Sequence, residues 1–221
     1  MGVLKVLGYS ERGVFNSIVF QIREHPEKMQ EFITALNVEI DINENMNFIL
    51  LNEQSFSDFG NSDLVIIIEQ NKQKTVIFVE GKVKTYNQKS YSLVKEFEKI
   101  KKDKHYKQVS SNIFAQLYYK YLLTQIDVNN QFTDSKVGKK VKKLGKNQII
   151  INAYEQYIKF ASKYYFVAIL PDNDGFLDKY KQLDFMPVEN IHCTSWKQIE
   201  ELFNDSPCVK ETFEYNKGQI Y

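Results

Sequence analysis

Hydrophobic residues follow two patterns along the chain, one typical of helices and one typical of strands. Apolar side chains recur at helical spacing from Val14 to Ile22 and from Met29 to Leu36, which predicts two short helices. Continuous β-branched and aromatic runs follow at 63–69, 75–83 and 165–170. Strands that are apolar throughout are typical of a sheet covered on both faces. The pattern therefore predicts an α/β fold with a buried central sheet.

Further elements follow from the same periodicities. Phe48–Leu51 is predicted as a short strand, and Tyr91–Gln125 as one long helix with a charged first half and an apolar second half. Another helix is predicted over Ile149–Tyr164 and another strand over Phe185–Cys193. Ser195 is a favourable N-cap for a last amphipathic helix.

The charge balance is close to neutral, with 29 Lys and Arg residues against 28 Asp and Glu residues. The global charge therefore gives no argument for a nucleic-acid or membrane partner, and any basic surface must be local. A local excess of lysine lies at about 127–147. We expect a loop or insertion there, within a single domain that spans residues 1–221.

Cysteine content and hydropathy bear on the compartment. Cys193 and Cys208 are the two cysteines of the chain, too few for a disulfide framework or a four-cysteine zinc site. That composition fits a reducing cytoplasm. No segment approaches the ~18 consecutive apolar residues that would span a bilayer, and the N-terminus lacks the apolar stretch of a signal peptide. We therefore expect a cytoplasmic protein without a membrane partner.

Charged residues interrupt the second apolar strand. Glu80 and Lys82 lie two apart and therefore point to one face of that strand. If the connector is the four residues 70–73, Asp63 lies opposite Glu80, with Cβ atoms roughly 5 Å apart. A second acid–x–Lys triplet, at 134–136, lies in a polar segment instead. The strand context distinguishes the first triplet from the second.

Two carboxylates held this close repel each other unless a cation or a proton lies between them. Oxygen ligands suit Mg²⁺ or Mn²⁺, and Lys82 would stand beside such an ion. The alternative is structural, a buried ion pair between Glu80 and Lys82 or a charged sheet edge. With a metal site, replacing Asp63 or Glu80 by alanine is not expected to lower stability, because the change relieves repulsion.

The order of these residues resembles the PD-(D/E)XK nuclease superfamily. Asp63, a hairpin and Glu80-Gly81-Lys82 follow a helix that carries Glu11 and precede a helix that carries Gln116. The resemblance extends from about residue 10 to residue 170. It implies a restriction-endonuclease-like αβββαβ core, with a mixed central sheet flanked by helices on both faces. It also implies divalent-metal-dependent hydrolysis of phosphodiester bonds.

The resemblance also assigns roles within the triplet. Asp63 and Glu80 would bind Mg²⁺ or Mn²⁺, and the Gly81 carbonyl would contribute a further ligand. Lys82 would position the attacking water. One departure is Ser62, which stands where the family often has proline before the aspartate.

Two residues outside the hairpin complete the set that the resemblance implies. Glu11 matches the acid that many members place on the first helix, although an acid in a first turn is also favoured by the helix dipole. Gln116 resembles a glutamine that some members use on the following helix, although it could simply bond to backbone. In the branch with that glutamine a tyrosine follows four residues later, whereas this chain has Lys120 there.

The lysine-rich segment 136–146 is the candidate nucleic-acid contact. Lys139, Lys140, Lys142 and Lys143 lie within it, and the segment contains no acid. Phosphate contacts are one interpretation of this cluster, and a solvated loop is the other.

The predicted function is a metal-dependent nuclease that acts on nucleic acid, with DNA as the favoured substrate. The alternative is a catalytically silent nucleic-acid-binding or assembly module on the same fold. A homodimer is compatible with either interpretation.

Overall fold

The computed structural model describes residues 5–40, 46–86, 89–102, 111–127, 129–134, 140–173, 175–184 and 187–220. Its strands are β1 (Asn47–Ser55), β2 (Asn61–Gln70), β3 (Gln73–Gly81), β4 (Thr85–Tyr86), β5 (Lys89–Ser90), β6 (Gln131–Asp134), β7 (Lys140–Lys143), β8 (Lys163–Leu170) and β9 (Ile191–Ser195). Its α-helices are α1 (Ser10–Glu24), α2 (Lys28–Ala35), α3 (Leu93–Lys102), α4 (Ile113–Leu123), α5 (Gln148–Ala153), α6 (Phe176–Lys181), α7 (Trp196–Leu202) and α8 (Pro207–Ile220).

Five of the strands form one mixed sheet in the order β1-β2-β3-β8-β9. The first three are antiparallel neighbours, whereas β3, β8 and β9 run parallel to one another. The connection from β3 to β8 contains α3, α4 and α5, since parallel neighbours need a long crossover. The predicted α/β class and the mixed sheet are therefore confirmed.

The β2–β3 hairpin has the predicted register with a shorter turn. Pairing runs from Gln70 opposite Gln73 to Leu64 opposite Val79. The loop is the two residues Asn71-Lys72, with φ of 51° and 64°, rather than four residues. Positive φ at both loop positions is the geometry of a type I′ turn, which matches the twist of the flanking strands.

The two faces of the sheet contribute to separate apolar layers. Leu64 and Val79 face a layer built with α1, α2, α7 and α8. Val65 and Phe78 face the other layer, which contains residues of α3, α4 and α6. Alternate residues of a strand point to opposite faces, so both faces of β2 and β3 are buried, as the continuous apolar runs predicted.

The single helix predicted over Tyr91–Gln125 is wrong. The structure has α3 and α4 in that interval, and residues 103–110 lie outside the described part of the chain. Asn112 begins α4, because its Oδ1 accepts hydrogen bonds from the backbone N–H groups of Phe114 (3.0 Å) and Ala115 (3.4 Å). An N-cap of this kind favours a new helix start over continuation of the previous helix.

The C-terminal third also differs from its predicted elements. Helix α5 and a π-helical turn end at Ile158, and β8 begins at Lys163, so the predicted helix to Tyr164 is too long. Ser195 caps α7 through a capping box with Gln198, as predicted. That helix is not the last, because α8 follows it.

The predicted loop or insertion at about 127–147 contains a short hairpin, because β6 and β7 pair antiparallel from Gln131–Lys143 to Asp134–Lys140. Residues 128 and 135–139, which include Lys139, lie outside the described part. The two cysteines are both free, Cys193 buried and Cys208 exposed. In the described ranges no helix has the length and apolar character needed to cross a membrane.

Candidate functional site

The open end of the β2–β3 hairpin brings Asp63 to the backbone of the acid–x–Lys triplet. The Gly81 N–H donates a hydrogen bond to Asp63 Oδ2 at 2.7 Å. The observed register, extended by one position beyond Leu64–Val79, sets Asp63 opposite Glu80. Asp63 is partly exposed, whereas Glu80 is fully buried. The Asp63 carboxylate therefore lies nearer to solvent than the Glu80 carboxylate does.

Glu80 pairs with a lysine that sequence reasoning did not assign to the site. Lys120 Nζ lies 3.1 Å from Glu80 Oε1, and both side chains are 0% exposed. The same Nζ donates to the Phe59 carbonyl at 3.0 Å. The alternative of a Glu80–Lys82 ion pair is therefore replaced by a Glu80–Lys120 pair. The available sequence signal was a lysine four residues after Gln116 on an otherwise apolar helix.

Lys82 is held at the rim of the site by its backbone. Its N–H donates to the Ile169 carbonyl at 2.9 Å, and its carbonyl accepts from Trp196 Nε1 at 2.7 Å. Its side chain is partly exposed. Its positive charge favours the ionised forms of Asp63 and Glu80. Lys82 therefore stands beside the carboxylates while its ammonium group can reach solvent.

Glycine is the residue type that fits at position 81, between the charged residues Glu80 and Lys82 and against two helices. A Cβ at this position would lie 2.8 Å from Trp196 Cζ2 and 2.9 Å from Phe15 Cε2. Those rings belong to α7 and α1, and they contact each other with centroids 5.2 Å apart. The missing side chain thus lets two helices pack directly against the backbone of the triplet.

Glu11 lies in the first turn of α1, at the rim of the same site. Ser10 Oγ donates to Glu11 Oε2, and the Ser10 N–H donates to Asn216 Oδ1 at 2.7 Å. Burial raises the pKa of Glu11, and the charge of Asp63 raises it further, whereas Lys82 lowers it. Glu11 therefore lies close enough to Asp63 and Lys82 for their charges to influence its carboxyl group.

Gln116 lies on α4 one turn before Lys120, and residues four apart share a helix face. Its Oε1 is buried and accepts no hydrogen bond from any residue that the structure describes. A buried, unsatisfied amide oxygen is costly unless a donor or a cation satisfies it. Gln116 is therefore positioned on the side of α4 that carries the buried lysine.

Burial sets the proton affinity of both hairpin acids. Burial raises the pKa of Glu80 to about 7, and the nearby charge of Asp63 contributes in the same direction, while Lys120 and Lys82 oppose it. Burial also raises the pKa of Asp63, against the Gly81 N–H bond and the charges of Lys82 and Lys120. The two acids therefore hold protons more readily than free carboxyl groups.

The predicted nucleic-acid lysines differ in their surroundings. Lys142 Nζ donates to the Asp58 carbonyl at 2.7 Å and lies 3.5 Å from the centroid of the Tyr119 ring. Lys143 is exposed, and its backbone N–H donates to Asp58 Oδ2 at 3.0 Å. Lys140 begins β7. The hairpin is thus docked beside the 3-10 turn Ser57–Phe59, which also supplies the carbonyl bound by Lys120.

The donor set suits a hard divalent cation through oxygen ligands. The Glu80 carboxylate oxygens accept no hydrogen bond of good geometry within the described ranges, so the Lys120 ion pair is their main polar contact there. Asp63 and Gly81 lie on the two facing strands at the open end of the hairpin, where the Gly81 N–H donates to Asp63 Oδ2. The described residues contain no cluster of three or more His, Cys, Asp and Glu side chains. Two carboxylates with backbone and water are a Mg²⁺-like set rather than a Zn²⁺-like one.

Comparison of this chain with protein-family models, curated proteins and solved structures finds no match. Function must therefore be inferred from the residues that the fold brings together.

Proposed function

We propose that the protein is a metal-dependent nuclease that hydrolyses phosphodiester bonds, with DNA as its substrate. The observation that carries the proposal is the meeting of Asp63, Glu80, Gly81 and Lys82 at the open end of one hairpin. Charged groups inside an apolar layer are costly, and perturbed carboxyl groups beside a specific charge partner are typical of functional sites.

The order of elements supports a restriction-endonuclease-like core. Helix α1 is followed by the antiparallel strands β1, β2 and β3, then by α4 and by β8 parallel to β3. This sequence of elements is the αβββαβ order that the PD-(D/E)XK resemblance implies. The central sheet is mixed, and both of its faces are covered by helices.

Each residue has a role that follows from its surroundings. Asp63 and Glu80, with the Gly81 carbonyl, would hold Mg²⁺ or Mn²⁺. When bound, such an ion lowers the pKa of a coordinated water and stabilises charge on a phosphate. Lys82 would orient the attacking water and bind a phosphate oxygen, since its backbone is fixed and its side chain reaches solvent.

Glu11 and Gln116 have supporting roles in this proposal. Glu11 lies within electrostatic reach of Asp63 and Lys82 at the solvent side, where it would hold a proton or a water near the reacting phosphate. Gln116 would donate or accept a hydrogen bond from the α4 side, where its Oε1 is buried.

The test is cleavage of plasmid and linear DNA with Mg²⁺, with Mn²⁺ and with a chelator. We expect cleavage by the parent with metal and none with the chelator. Asp63→Asn should abolish cleavage, and Lys82→Ala should lower the rate by about 10²–10⁴-fold, the usual contribution of a positioned proton-transfer group. Parallel reactions with RNA of the same sequence identify the preferred substrate.

Glu69→Gln is the matched control for Asp63→Asn. Glu69 lies on the same strand and pairs across the hairpin with Lys74, at the end that carries the turn. Its replacement should leave cleavage at the parental rate. Equal losses in both variants would mean that the assay reports hairpin stability rather than a site at Asp63.

A silent nucleic-acid-binding or assembly module is the second candidate, and one observation favours it. Glu80 is fully buried and already ion-paired with Lys120, an arrangement that a purely structural role would also explain. DNA binding without metal-dependent cleavage in any condition would support this candidate over the nuclease. The molecular mass in solution tests the accompanying prediction of a homodimer.

A further inference from the structure

Lys120 is the buried cation of the site, and its position is unusual for a lysine. Its side chain is 0% exposed, although lysine is almost never fully buried without a partner. Its Nζ lies between the Glu80 carboxylate (3.1 Å) and the Phe59 carbonyl (3.0 Å). The ammonium group is thus fixed against Glu80 by two elements, α4 and the 3-10 turn that precedes β2.

The influence of Lys120 extends to both hairpin acids. Its charge favours the ionised form of Asp63 as well as that of Glu80. When both acids are ionised, Asp63 and Glu80 carry two negative charges against the two positive charges of Lys82 and Lys120. In that state the hairpin site is neutral before any metal ion binds, and Glu11 at the rim adds one negative charge when it is ionised.

A neutral site has a limited capacity for divalent cations. Two-metal phosphodiesterase sites hold their ions close together, and such a pair of ions brings four positive charges into one cluster of ligands. Here the described residues offer no cluster of three or more His, Cys, Asp and Glu side chains. One positive charge is already built into the protein where a second ion would otherwise neutralise Glu80.

We infer that Lys120 is the resident counter-ion of Glu80 and limits the site to one divalent cation per chain. The inference rests on the proposed function, because it assumes that Asp63 and Glu80 bind the metal. Lys120 acts through Glu80 and is therefore a positioning residue, whose charge opposes cation binding and keeps a second ion out.

The experiment is calorimetric titration of the nucleic-acid-free chain with Mn²⁺, above neutral pH so that the acids are ionised. We expect one Mn²⁺ per parent chain. Lys120→Met removes the charge at similar side-chain volume. We expect this variant to bind Mn²⁺ about tenfold or more tightly than the parent, because the repulsion between the Lys120 ammonium and a nearby cation is large enough for a change of that size. Metal should also raise the melting temperature of this variant more than that of the parent.

Lys142→Met is the matched control. Lys142 donates to the Asp58 carbonyl of the same 3-10 turn, so the same chemical change is made beside the same backbone but away from Glu80. Its Mn²⁺ affinity should equal that of the parent. Lys120→Gln is measured in parallel, since it keeps an N–H donor for the Phe59 carbonyl and lowers the risk of misfolding.

The results that would overturn the inference are distinct from failure of the proposed function. Two Mn²⁺ ions bound to the parent, or unchanged or weaker Mn²⁺ affinity in both Lys120 variants, would reduce Lys120 to a structural partner and leave the nuclease proposal standing. A parent chain that binds no Mn²⁺ would remove the metal site itself, and the proposed function would fail with it.

Discussion

Two lysines of this protein donate to neighbouring carbonyl groups of one 3-10 turn, one in the core and one nearer the surface. Lys120 binds the Phe59 carbonyl from within the core, and Lys142 of the β6–β7 hairpin binds the Asp58 carbonyl from nearer the surface. The second partner of Lys120 is the buried Glu80 carboxylate, whereas the second partner of Lys142 is the face of the Tyr119 ring.

Solvent access, rather than charge or the number of hydrogen bonds, distinguishes the regions around these two lysines. In the buried region around Glu80, an uncompensated charge cannot be hydrated, so each partner depends on the other. In the hairpin, water can replace a lost contact, and the proposed phosphate contacts would come from lysine side chains nearer to solvent. We therefore expect substitutions around Glu80 to change stability and proton affinity, and substitutions in the β6–β7 hairpin to change the proposed association with nucleic acid.

The largest effect is expected from Glu80→Ala, which leaves the Lys120 ammonium buried without its carboxylate. Breaking a buried ion pair typically costs about 3–5 kcal/mol of unfolding free energy. Urea unfolding of the parent and of Glu80→Ala, without metal and above neutral pH, measures the loss. The buried Lys120 partner changes the expectation from the sequence, in which replacing Glu80 by alanine leaves stability unchanged. A loss in Glu80→Ala no larger than that of the exposed variant Lys143→Ala would contradict the comparison.

The second effect is a pH dependence of stability. The pKa of Glu80 is raised from 4.5 to about 7 in the folded protein, so between these values the folded chain keeps a proton that the unfolded chain has lost. The contribution of Glu80 therefore falls as the pH rises from about 4.5 to about 7 and is constant above that. The stability of the parent relative to that of Glu80→Gln should therefore decrease as the pH rises over this interval.

Glu69→Gln provides the reference for that pH series, since Glu69 belongs to the same hairpin but lies at its other end. Its difference from the parent should not show the fall assigned to Glu80. If the parent instead gained stability relative to Glu80→Gln with rising pH, the charge of Lys120 would outweigh burial.

The third effect concerns association with DNA. Replacing Lys139, Lys140, Lys142 and Lys143 by Gln should flatten the slope of log affinity against log salt by about two to four units, since each phosphate contact contributes roughly 0.9. The loss should be independent of DNA sequence, because phosphate contacts do not read bases. An unchanged slope would assign the segment to a solvated surface.

The smallest effect separates two lysines of the hairpin, Lys142 and Lys143. Lys142→Gln should lower stability by about 1 kcal/mol, since it removes a cation–π contact and a hydrogen bond. Lys143→Gln should change stability by less than about 0.5 kcal/mol, as expected for an exposed side chain. Thermal unfolding of both variants measures these losses of stability. Equal losses would show that Lys142 does not anchor the hairpin.

Much of the fold was predictable because its signals are local. The apolar runs at 63–69 and 75–83 predicted both strands, and their separation predicted the register that sets Asp63 opposite Glu80. The N-cap at Ser195 was likewise predicted from the sequence. The boundary between α3 and α4 was missed. Asn112 caps α4 in the structure, but a single asparagine is a weaker sequence signal than hydrophobic periodicity.

The sequence alone determined the α/β class, the β2–β3 hairpin and the two acids at its open end, since each depends on neighbours in the chain or on residue alternation. Only the tertiary structure decided which cation meets Glu80, because Lys120 lies forty residues away along the chain and comes from α4. Lys82, two residues from Glu80, was the nearer candidate in sequence. Lys120 is the partner because a carboxylate taken out of water requires a cation inside the same apolar layer.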